Sequence, residues 1–308
     1  MRNFIKYLIV ALALPAFISL VFIEALARRC PNSYAYKHDT VTQRGEYITT
    51  LLLGGSRAYH GIDPAYIDEG AFSLANVSQP LYLDCWVLKK YHPFLPHLRT
   101  VILEVNNANI AGSADMGKGM EWFRLIYYGL YMDYPTPLFS RYHFEVCNFT
   151  NAKRKAVETI HALRGNKNHT PCSASGWGME YGTAEKFDPI SFAETARVAA
   201  QRHNHPVREH FDFSLQKLEE IALYCNENNL RLILVTTPLS SEYRNAANPT
   251  QFDFLAEAME RMKRKYGAEY LDYANDPRFQ GKDFYDGDHL SHQGAAKFSS
   301  IFKEDAHL

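Results

Sequence analysis

The stretch "TLLLGGSRAYHGIDP", residues 50–64, is an apolar run that stops at two glycines and a serine. A continuous apolar strand is buried on both faces and ends in a turn where the chain meets solvent or a ligand. Ser56 therefore stands where a reactive side chain can be reached. The strand it ends reads as "YITTLLLGG" (47–55), and the same pattern recurs in "FSLANV" (72–77), "TVILEVN" (100–106), "LRLILVTTP" (230–238) and a shorter "EYLDY" (269–273). Helical periodicity lies between or after these runs at 80–92, 208–228, 251–266 and 292–303. Val/Ile/Leu strands separated by helices predict a parallel sheet covered on both faces, a doubly wound α/β domain.

The interval from about 108 to 205 breaks this alternation. It holds no strong strand and is too long for a loop, so it reads as a mostly helical insertion at the carboxyl edge of the sheet. Its basic run "NAKRKAVETIHALRGNKNH" (151–169) reads as a solvated helix face, with contact to an anionic polymer or lipid headgroups as the alternative. Trp122 and Trp177 read as buried in the insertion, with a sugar-stacking platform as the alternative.

The first segment is topological. "YLIVALALPAFISLVFI" (7–23) carries no charge, follows Arg2 and Lys6, and reaches the lower limit for a membrane-spanning helix. It is either a signal-anchor or a cleavable signal. Ala25-Leu26-Ala27 resembles a cleavage site, whereas Glu24 and the length of the run favour retention. The reading adopted is an N-terminal anchor or signal over 1–29, with one domain over 30–308 outside the cytoplasm. Residues 28 to 45 read as a polar connector.

A net charge of −1 provides no field to attract nucleic acid. The five cysteines (Cys30, Cys85, Cys147, Cys172, Cys225) show no CxxC and no histidine at metal spacing, so no metal is expected. Outside the cytoplasm a disulfide is permitted, and Cys147 with Cys172 is the first pair to suspect. Cys225 is expected on a helix's apolar face. Of the three glycosylation sequons, Asn76, Asn148 and Asn168, the first is expected to be poorly exposed. No phosphate-cradling glycine loop occurs, and no cofactor is expected.

Ligands of an open parallel sheet bind beyond the carboxyl ends of its strands. Those positions hold Ser56, Asn76 to Gln79, Asn106 and Asn107, and, far downstream, "FYDGDHLSHQGAAKFS" (284–299). There Asp286 and His289 stand three apart before a helix that Ser291 can cap. A serine hydroxyl needs an imidazole to take its proton, and the imidazole needs a carboxylate to hold its tautomer and offset its charge. His289 is the expected base and Asp286 the expected orienting carboxylate. Asp288 competes, but the three-residue spacing favours Asp286. The oxyanion would be met by backbone N–H groups of Ser56 and near Ser78, and by the amide of Asn106 or Asn107. Arg57, His60 and Gln79 are candidate substrate contacts, with helix-surface roles open for Arg57 and His60. His292 reads as a capping or surface residue.

"LLGGSRAYHGIDP" with "DGDHLSHQGAAKFS" resembles the SGNH (GDSL-like) hydrolase superfamily. The N-terminal anchor and "HLSHQGAAKFS" are most similar to its membrane-anchored branch, which includes the teichoic-acid D-alanyl transfer protein and proteins of exopolysaccharide O-acetylation. The resemblance covers 47–106 and 208–304 and leaves the insertion unassigned. It implies a flavodoxin-like three-layer α/β/α sandwich, with Ser56 as nucleophile and Asp286 and His289 as its partners. Gly55 stands where the best-known motif has Asp. The glycine after the second strand is missing from "NVSQP", and Gly-x-Asn-Asp after the third is "VNNAN".

The expectation is an anchored, extracytoplasmic serine esterase or O-acyltransferase, with acetyl as the group transferred. It would act on a cell-surface glycan, with a membrane acyl-transfer protein as a possible partner. The competing expectation is an inactive sandwich that binds glycan or a membrane protein as an assembly component.

Overall fold

The computed structural model describes residues 2–111, 124–147, 172–179, 189–204 and 206–308. The chain divides into two compact units, Met1–His38 with Met116–Thr170, and Asp39–Asp115 with Pro171–Leu308.

The second unit carries the sheet. Strands β1 (Thr50–Leu53), β2 (Ala71–Ser73), β3 (Thr100–Glu104), β4 (Arg231–Thr236) and β5 (Glu269–Asp272) pair in parallel in the order β2-β1-β3-β4-β5. This is the flavodoxin-like order, with its switch point between β1 and β3. Every residue of β1, β2 and β3 is buried, whereas β5 is a partly exposed edge. That burial is why the apolar runs are continuous rather than alternating.

Four of the helices in this unit fall where periodicity places them: α4 (Leu81–Tyr91), α8 (Arg208–Glu227), α10 (Pro249–Tyr266) and α11 (His292–Asp305). The stop of α10 is Gly267, at φ +63°, the left-handed conformation in which glycine ends a helix without strain. α4 and α10 pack against α8, and α11 packs against the short helix α3 (Ser56–Gly61). The helix α5 (Asn107–Ala111) follows β3, and α9 (Ser241–Ala246) follows β4.

The interval 108–205 is helical over much of what is described of it. It contains α6 (Leu125–Tyr131) and α7 (Pro189–His203), along with 3-10 turns at Arg141–His143 and Glu145–Cys147. The basic run 151–169, Trp122, Asn148 and Asn168 lie outside the described residues.

The first unit contains α1 (Arg2–Ala27), α6 and the two 3-10 turns. Among the described residues no helix is long and apolar enough to cross a membrane. The described side chains of α1 are Tyr7 and those from Ala11 onward. From Leu12 to Ile23 its large apolar residues are exposed.

Two expectations are corrected. The connector 28–45 is helical over most of its length, as α2 (Ser33–Arg44). Asn32 caps it by accepting from the Ala35 N–H at 2.8 Å, and it buries Ser33, Tyr34, Lys37 and Val41. A lysine on the buried face hides that period in a polar composition. The pair Cys147–Cys172 is not formed: none of the five cysteines makes a disulfide. Cys147 ends a 3-10 turn of one unit, and Cys172 forms a β-bridge with Gly178 in the other. Cys225 is buried on α8 as expected, and burial pushes its thiol up to about 12. Asn76 is buried.

Candidate active site

β1 ends at Leu53, and the chain turns through Gly54 at φ +133°. A side chain there would strain the backbone, and a Cβ would stand 2.9 Å from that of Glu104, so only glycine fits. Ser56 is the first residue of α3, and its N–H is one of those that a helix start leaves without an intrahelical partner.

Ser56 Oγ lies 2.8 Å from His289 Nε2, and His289 Nδ1 lies 2.9 and 3.1 Å from the two oxygens of Asp286. The structure thus brings together three side chains that the sequence sets up to 233 residues apart. The downstream pair is held by its own loop. Phe284 and Leu290 form an antiparallel bridge. Within it the Asp288 and His289 N–H groups donate to Asp286 Oδ1 at 3.1 and 2.9 Å. Ser291 caps α11 by accepting from the Gly294 N–H, so the helix begins just past the base.

Burial alone would raise the Asp286 carboxyl. The His289 ring and the two backbone donors outweigh it and hold the group below the usual carboxylate range. Burial likewise opposes a charged His289, but Asp288 and Asp286 outweigh it, so the imidazole is held above its ordinary value. Of the two carboxylates, Asp286 is the hydrogen-bonded one. Asp288 is 3.4 Å from Nδ1 and also faces Arg57 and Arg202 at 3.8 Å and His203 at 4.0 Å. Burial, then the charge of Arg57, lowers His203 to about 3, so it is neutral. Ligand atoms of Asp286, Asp288 and His289 cluster closely enough for a metal. Both His289 ring nitrogens already face Asp286 and Ser56, which leaves none for an ion.

A cavity of about 200 Å³ opens on Ser56, lined also by Arg57, Ser78, Gln79, Asn106 and Asp288. Ser78 has φ +58°, the left-handed region that glycine adopts freely, within the segment "NVSQP" from which the expected glycine is missing. The asparagines are differently employed from what was expected. Asn106 Oδ1 accepts from the Ala108 and Asn109 N–H groups, capping α5, and its Nδ2 donates to Glu104 at 2.7 Å. Asn107 Oδ1 accepts from Arg57 Nη1, and its Nδ2 donates to the Tyr243 hydroxyl. Each amide nitrogen donates one of its two hydrogens to the protein.

Arg57 and His60 are not surface residues of α3. Arg57 is 5% exposed, lies over the Tyr243 ring at 4.6 Å and lines the cavity. His60 is buried, with Nδ1 3.4 Å from the Gly178 carbonyl, and it does not line the cavity. Gln79 does, but its amide donates to Asp84. Trp177 is buried, donating from Nε1 to the His60 carbonyl, and the His292 ring packs against it at a tilt of 53°.

Two residues under the nucleophile's turn were not singled out from sequence. Asp84 of α4 accepts from the Gly54 N–H at 2.8 Å and from Gln79. Glu104 of β3 accepts from the Gly55 N–H and from Asn106. Burial raises both carboxyls, Asp84 to about 8. The available signal was a carboxylate inside or at the end of an apolar run, "LYLDCWVL" and "TVILE".

No family model matches the chain, and no curated protein matches it. Among solved structures, a GDSL-like lipase from Bacteroides thetaiotaomicron aligns over 89% of this chain and 99% of its own. The TM-score is 0.43 and the sequence identity 9%.

Proposed function

We propose that the chain is a serine esterase or O-acyltransferase of the SGNH type. The observation that carries this reading is the 2.8 Å contact of Ser56 Oγ with an imidazole whose other nitrogen is held by Asp286. In this reading His289 Nε2 takes the serine proton as Oγ attacks an ester carbonyl. The developing oxyanion meets the N–H groups of Ser56 and the Ser78 turn. The imidazolium then protonates the departing alcohol, leaving an acyl group on Ser56. Water or a sugar hydroxyl, deprotonated by the same imidazole, takes the acyl group away.

The finer reading is an extracytoplasmic domain anchored by α1, transferring acetyl groups to a cell-surface polysaccharide beside a membrane acyl-transfer protein. Its support is the uncharged run 7–23 within α1; the run rises about 26 Å, at the lower limit for a hydrocarbon core of about 30 Å. Tethering enzyme, donor and polymer to one surface raises their effective concentration.

The inactive alternative has its own support in the glycines missing from "NVSQP" and "VNNAN". One experiment separates the two: hydrolysis of p-nitrophenyl acetate by the full chain in detergent, beside Ser56→Ala and His289→Ala. The esterase reading expects activity that both substitutions reduce about a thousandfold or more, and labelling of Ser56 by a fluorophosphonate. A silent wild type that resists labelling would establish the binding module instead.

A further inference from the structure

We infer that the turn at residues 137–140 rests on a lipid bilayer, with Leu138 and Phe139 seated among the headgroups beside α1. The inference rests on the reading of α1 as a membrane anchor and concerns only the first compact unit.

The turn closes by the Ser140 N–H donating to the Pro137 carbonyl at 2.9 Å. It holds its two central side chains out to solvent: Leu138 is 60% and Phe139 90% exposed. An apolar pair so fully presented is costly in water and suits a partner that takes up apolar groups.

The segment just beyond the turn is tied to the end of α1. Glu24 sits one residue past the uncharged run and accepts from the Glu145 N–H at 3.1 Å and the Val146 N–H at 2.9 Å. Arg28, paired with Glu24, donates to the His143 carbonyl at 2.8 Å. The acidic residue that argued against cleavage thus clamps the segment 143–146 at the level where α1 would leave the hydrocarbon. Phe139 is four positions before His143, a reach of at most about 14 Å. Phe139 is therefore confined to the neighbourhood of that level. The exposed Arg29 and Arg141 add charge of the sign that anionic headgroups attract. A bilayer is the occupant favoured over a second copy of the chain, because the clamp ties this tip to the membrane-facing helix.

The test is tryptophan quenching in vesicles of phosphatidylethanolamine and phosphatidylglycerol with brominated acyl chains, using the full chain. Phe139→Trp and, as a control within α1, Phe17→Trp are each compared with wild type. The expected result is that the emission added by either substitution is blue-shifted and quenched by bromine. Quenching in Phe17→Trp alone overturns this inference and leaves the anchor standing. Quenching in neither overturns both. Emission from Phe139→Trp that ignores bromine but shifts with protein concentration replaces the bilayer with a second copy. Phe139 is at a surface tip, so the substitution leaves the fold intact, which circular dichroism checks.

Discussion

At the scale of single residues, the site is governed by carboxylates with opposite roles. Asp286 and Asp288 hold the His289 imidazole above its ordinary value, so the neutral base is lost at a higher pH than a free histidine would show. The acid limb of kcat/KM for ester hydrolysis is expected above pH ~6.5. In Asp286→Asn that limb moves down, together with a large fall in kcat, and a pH–rate profile reads both. Asp84 works the other way. Its carboxyl is raised to about 8 in the fold, against about 3.9 in an unfolded chain. Between about pH 4 and 8 the unfolded chain binds fewer protons than the native one, so stability falls as pH rises through that window and levels off beyond it. Asp84→Asn keeps an acceptor for the Gly54 N–H and flattens that slope, as urea midpoints across the window would report. An unchanged slope would show that Asp84 is not the group responsible. Ser56, Asp286 and His289 were legible because each stands where a strand or loop must end. Asp84 and Glu104 were not, because their meaning lies in turning toward Gly54 and Gly55, which no spacing along the chain expresses.

At the scale of elements, all five strands were legible in place, since a strand buried on both faces writes an uninterrupted apolar run, but their ends were not: the run 72–77 pairs only as Ala71–Ser73, and the rest of it is the turn beyond the strand. α2 was not, because its buried face includes Lys37. α7 matters more than its sequence suggests. Gly287, between the two triad members Asp286 and His289, is so close to this helix that a Cβ would lie 2.1 Å from the Ala196 Cα. Its N–H donates to Thr195 Oγ1 at 3.1 Å, and its carbonyl accepts from Ser240 Oγ. Gly287→Ala is expected to push the loop off α7 and cut kcat on the order of tenfold to a hundredfold, because small misplacements of a catalytic group carry that cost. Thermal stability should fall with it. A variant with wild-type kcat and melting temperature would mean that the loop yields freely. The glycine in "DGDH" thus has a packing reason that a motif alone does not reveal.

At the scale of the whole molecule, the parallel order β2-β1-β3-β4-β5 explains why distant segments of sequence meet. Every strand points its carboxyl end the same way, so the turns after β1, β2 and β3 open onto one edge. There they meet the loop that precedes α11. The general class was legible from alternation, whereas the strand order and the division of the chain into two units were not, since both depend on contacts far apart in sequence. The 233 residues between Ser56 and His289 also set an order in time. At a synthesis rate of roughly 5–20 residues per second, the serine leaves the ribosome some ten to fifty seconds before the histidine. Throughout that interval Ser56 has no imidazole to take its proton and is an ordinary alcohol, so a half-made chain carries no activated nucleophile.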